Sequence, residues 1–168
     1  MFNFIFNLIL ILLVALFEIS FLPFFYPLAN LDLALIIVIF TALFFNYRIA
    51  FFWAILTGLI FDSFSLAPFP AVSCLFILIL VGVKFFSSEI FNPKTFLGYL
   101  VIALISFLFF DIALVAVKYF FYFFESKVDF DSLTPLNFIW QIALNSVVFS
   151  LFLVLFKPTL FKIKLYFK

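Results

Sequence analysis

Hydrophobic positions dominate this chain so completely that its polar residues act as punctuation. Apolar runs bounded by Pro, Asn and charged residues predict helices near residues 4–22, 31–45, 49–64, 71–87, 96–124 and 136–156. Asn46, Tyr47 and Arg48 interrupt what would otherwise run unbroken from Leu33 to Phe61, a stretch too long for one crossing at about 1.5 Å per residue. The interruption is therefore read as a turn, making the second and third runs a tight helical hairpin. The first run, Met1 to Ser20, has no Lys or Arg before it and no clear small-residue cleavage site, so a retained first span is expected.

Composition fits that pattern. The chain is 70% hydrophobic and 10% charged, with a mean hydropathy of +1.46, whereas a soluble domain is about 45–50% apolar. Each crossing takes roughly 20 apolar residues, so six take about 120 and leave no room for a separate soluble domain in 168. The fold class expected is an all-α integral membrane protein, a compact bundle of about six transmembrane helices in a single domain spanning residues 1–168, with a short basic tail over 157–168. The 34 Phe are spread through every segment, which suits lipid-facing surface better than an aromatic cage.

Charge sets the expected orientation, because short loops rich in Lys and Arg stay in the cytoplasm. Six spans with both termini cytoplasmic put Arg48, Lys84, Lys94, Lys157, Lys162, Lys164 and Lys168 inside and leave Lys118 and Lys127 towards the outside. Glu18, Asp32, Asp62, Glu125, Asp129 and Asp131 then fall near the outer face. The tail interleaves Lys with Leu, Phe and Tyr, the pattern of a segment on an anionic inner leaflet; a plain stop-transfer anchor reads equally well.

With no His and one Cys, Cys74, disulfides, Cys/His zinc sites, His haem ligation and His acid–base chemistry are excluded. No catalytic residue, metal, cofactor or nucleic-acid partner is expected. Attention falls instead on polar side chains within the apolar runs, which are costly there and face other helices or a cavity.

Three groups qualify. Gly58 and Asp62 lie four apart, on one helical face, with Ser65 three further on. Asp62 sits where its helix ends, beside carbonyls whose partial negative charge disfavours it, so a donor must compensate; a solvated rim position is the alternative. Ala50, Ala54, Thr57 and Gly58 form a small-residue face suited to close helix approach, and a partner-binding role is expected of it. Asp111 stands near the middle of the long fifth run, about 10 Å along the axis from Lys118, so a donor on another helix is expected to meet it. In the sixth run Asn137, Gln141 and Asn145 recur every four residues as a polar stripe, the default reading being interhelical hydrogen bonding.

At these residues the chain resembles MreD, the small membrane protein of the bacterial rod-shape system. Gly58, Asp62 and Ser65 match a Gly-x-x-x-Asp-x-x-Ser pattern, with Pro70 where the family carries a further Gly. Asp111-Ile112 matches the fifth-span Asp, and Asn145 matches the sixth-span Asn, with Ser150 where members often have Pro. The resemblance implies a non-enzymatic scaffold of the bacterial cytoplasmic (inner) membrane that binds MreC and links MreB filaments to RodA and its partner transpeptidase. It further implies similarity of fold to the S component of energy-coupling-factor transporters, which makes a substrate-binding vitamin-transport subunit the alternative. Intramembrane aspartyl proteolysis is disfavoured: there is no Gly-x-Gly-Asp motif, and Asp62 and Asp111 are expected at different depths.

Overall fold

The computed structural model describes residues 2–25, 28–64, 70–90, 95–125 and 135–166. Six α-helices account for most of them: α1 (Phe2–Ser20), α2 (Leu33–Phe44), α3 (Tyr47–Phe64), α4 (Ala71–Phe85), α5 (Phe96–Glu125) and α6 (Pro135–Tyr166). A 3₁₀ turn at Leu22–Phe24 lies between α1 and α2, and a π turn at Phe86–Ile90 extends α4. Helix is forced by the solvent: in hydrocarbon every backbone N–H and C=O must be satisfied within its own segment.

Five helical segments, Asn7–Phe24, Tyr47–Phe64, Ala71–Ser88, Phe96–Val117 and Phe138–Phe156, are long and apolar enough to cross a membrane, so this is a multi-pass helical membrane protein. The expected second span departs from that rule. α2 has only 12 residues, about 18 Å of helix against a hydrocarbon core of about 30 Å. It is the hub of the bundle: α1, α3, α4, α5 and α6 all pack against it. Ala34, Leu35, Ile36, Val38, Ile39, Phe40, Thr41 and Ala42 are buried, so protein rather than lipid surrounds α2 on almost every side. Its unbroken hydrophobicity reflects burial inside a bundle as well as membrane depth.

The turn expected at Asn46–Arg48 is tighter than the sequence implies. Phe45 is extended with its N–H on Thr41 O, and α3 begins at Tyr47. The sixth helix is longer than expected, because the basic tail continues α6 as helix to Tyr166.

The phenylalanines divide between two tasks. Phe76, Phe107, Phe110 and Phe149 are buried, and they pair across helix seams: Phe76 with Phe110 at a centroid distance of 5.5 Å and Phe107 with Phe149 at 6.2 Å. Such ring pairs supply the packing contacts that hold helices together where no hydrophobic driving force operates between them. Others, such as Phe24, Phe64 and Phe120, are exposed on the outer surface. The lipid-facing reading of Phe therefore covers only part of the set.

Candidate functional site

Polar side chains gather at the level of the α1–α2 and α3–α4 connections, which the middle of α5 (Asp111) and the first third of α6 (Gln141, Asn145) also reach. The simplest node joins α3 to α4. Pro70 occupies the N-cap of α4 and makes no side-chain cap hydrogen bond, so the first amides of that helix lack a local acceptor. Asp62, two residues before the end of α3, supplies one. Its Oδ1 accepts the Val72 N–H at 2.7 Å; its Oδ2 accepts the Ser73 N–H at 3.0 Å and the Ser73 hydroxyl at 2.5 Å. The N-terminal dipole of α4 offsets the unfavourable C-terminal dipole of α3, the compensation the sequence required.

Gly58 makes that approach possible. A Cβ there would stand 2.5 Å from Ser73 Cα, closer than atoms tolerate. The small-residue face expected to bind a partner is therefore occupied within the chain: Ala50, Ala54, Thr57 and Gly58 are all buried inside the bundle, and Thr57 Oγ1 donates to Trp53 O at 2.6 Å. Ser65 lies outside the described residues, as does the side chain of Asn137.

The second node was only half visible in the sequence. Glu18, two residues before the end of α1, has its Oε2 accept the Ala34 N–H at 2.7 Å, repeating on the first hairpin what Asp62 does on the second. Asp32, at the N-cap of α2, is held by α6: its N–H donates to Asn145 Oδ1 at 3.0 Å, and its Oδ2 accepts from Gln141 Nε2 at 2.6 Å and Asn145 Nδ2 at 3.3 Å. Gln141 Nε2 also donates to Asp111 Oδ1 at 3.2 Å, giving Asp111 the donor on another helix that its position calls for. Asp111 Oδ2 is buried with no hydrogen-bond partner.

Glu18 and Asp32 carry as much of this node as the residues singled out beforehand. The sequence puts both near the outer face and marks neither as a functional position. The available signal was position: each carboxylate stands at a helix terminus facing a hairpin connection. Glu18 and Asp111 are both within electrostatic reach of Asp32, and the donors that knit the three together are the amides of Gln141, Asn145 and the α2 backbone. No group of three or more His, Cys, Asp or Glu side chains among the described residues is placed to hold a metal ion.

Carboxylates and amides thus tie the α1–α2 hairpin to the α5–α6 hairpin and close the α3–α4 hairpin on itself, which defines the class: a multi-pass helical membrane protein with polar clasps between its helices. No family model, curated protein or solved structure matches the chain.

Proposed function

We propose that the chain is a non-enzymatic scaffold of the bacterial cytoplasmic membrane, similar to MreD, with both termini in the cytoplasm. In this reading it binds MreC, and through it couples MreB filaments to RodA and its partner transpeptidase during lateral wall synthesis. The observation that carries the reading is the fate of the motif residues. Asp62, Asp111 and Asn145 all hydrogen-bond to groups of their own chain on neighbouring helices, a use that favours a rigid platform over a reaction centre.

The alternative, a substrate-binding subunit of a vitamin transporter, needs polar groups converging on a concave site. The groove described below is walled by apolar side chains, which weighs against it.

Purification of the tagged chain from native membranes in mild detergent, followed by mass spectrometry, separates the two. Recovery of an MreC-like single-span protein or of wall synthases supports the scaffold; recovery of a coupling subunit with ATPases replaces it with transport.

A further inference from the structure

The end of the bundle opposite the carboxylates carries a groove of about 230 Å³, walled by Leu10 of α1, Ile37 and Phe40 of α2, Trp53 of α3, and Phe152 and Phe156 of α6. Trp53 and Phe40, 3% and 7% exposed, form its floor, while Leu10 and Phe156, 38% and 46% exposed, form its rim. α1 packs on α2 and α3, and α6 on α2 and α5; the groove lies between these two outer helices and reaches inward to α2.

Two polar side chains also line it, and both are turned to the protein. Asn7 Oδ1 accepts from Trp53 Nε1 at 3.4 Å, and Thr41 Oγ1 donates to Val38 O at 3.0 Å. What remains facing the groove is hydrocarbon and aromatic surface.

Length and charge select the occupant. Along α2 the lining runs from Ile37 to Phe45, about 12 Å at 1.5 Å per residue, which is less than half of a hydrocarbon core about 30 Å thick. A spanning partner helix would need a seam through both leaflets; a groove confined to one leaflet matches a lipid tail. At its end the α2–α3 turn presents exposed Asn46, Tyr47 and Arg48, next to Ile49 of the lining. The acidic residues nearest in sequence, Asp32 and Asp62, belong to the opposite end of the bundle.

We propose that this groove seats one acyl chain of an anionic phospholipid from the leaflet facing the α2–α3 turn, with the lipid phosphate on Arg48. The inference stands apart from the scaffold reading and does not depend on it.

Trp53 is a built-in reporter. The chain has two tryptophans, and the second, Trp140, is 50% exposed. A Trp140→Phe chain, with helix content checked by circular dichroism, is reconstituted in phosphatidylcholine vesicles doped with acyl-brominated phosphatidylglycerol or acyl-brominated phosphatidylcholine. Bromine quenches indole only at short range, so quenching of Trp53 reports a chain in the groove. The expected result is quenching at about five-fold lower mole fraction for the anionic lipid, the preference one basic residue near a headgroup confers. Arg48→Gln should abolish that preference and Arg48→Lys should retain it.

Unquenched Trp53, alongside quenched Trp140 in a Trp53→Phe chain, overturns the proposal and means that a second copy or a partner segment covers the groove. Equal quenching by the two headgroups, or a preference that survives Arg48→Gln, overturns it as well.

Discussion

Asn145 grips Asp32 twice across 113 residues of chain: its Oδ1 accepts the Asp32 N–H, and its Nδ2 donates back to the Asp32 carboxylate. The pair fastens the start of the central helix to the last helix, and Asn145 is fully buried. Asn145→Ala should cost about 2 kcal/mol, the penalty of leaving a buried donor and a carboxylate each short of a partner. A double-mutant cycle with Asp32→Ala, read by unfolding in mixed micelles, should give a coupling of at least about 0.6 kcal/mol. Because Asp32→Ala keeps the backbone N–H, the cycle reads the Asn145 Nδ2 to carboxylate contact alone, and strict additivity would show that this contact contributes nothing.

Asp62 and Glu18 perform one task on two hairpins, each capping the next helix from the end of the last. Asp62→Leu leaves the Val72 and Ser73 amides without their acceptor and should cost on the order of 3 kcal/mol. Glu18→Leu strands one amide and should cost less, while Glu18→Gln keeps an acceptor oxygen and should be nearly neutral. Thermal unfolding in detergent should rank the variants Asp62→Leu, Glu18→Leu, Glu18→Gln from most to least damaging. A Glu18→Gln as harmful as Glu18→Leu would mean that the charge itself is needed.

Gly58→Ala tests packing against propensity. Alanine gains about 1 kcal/mol over glycine in a helix interior, but its Cβ would meet Ser73 Cα at 2.5 Å. Because the obstacle is backbone, the α3–α4 seam must open, at a cost of about 1–3 kcal/mol. Net destabilisation is expected for Ala and a larger one for Leu, visible as a lower midpoint in the purified chain without any partner. A stable Gly58→Leu chain that merely loses a partner would restore the view of this face as a docking surface.

Asp111 uses one carboxylate oxygen and leaves the other unpartnered. Asp111→Asn preserves the acceptor for Gln141, so it should be milder than Asp111→Leu in assembly and stability. Equal damage from both would point to an ionic or proton-linked role, which complementation of cell shape or growth at several pH values would reveal.

What the sequence determined by itself was the solvent and the punctuation. Apolar runs of this length and hydropathy admit only helices that satisfy their own backbones, so six helices follow from composition and spacing, with bounds close to the expected ones except where α6 continues to Tyr166. The cost of polar groups in hydrocarbon likewise marked Asp62, Asp111, Gln141 and Asn145, since no such residue persists there without a partner. Only the tertiary structure decided who the partners are. Hydrogen bonds such as Asp32 with Asn145 or Asp62 with Ser73 join residues on different helices, and a periodicity within one helix carries no information about the face of another. For the same reason α2 reads as one more membrane span, although it is too short to cross alone and owes its hydrophobicity to five surrounding helices. The small-residue face of α3 reads as an interface in the sequence; in the structure it is one, with α4 of the same chain as the partner, because only a glycine at position 58 lets the two backbones come close enough for Asp62 to cap its neighbour.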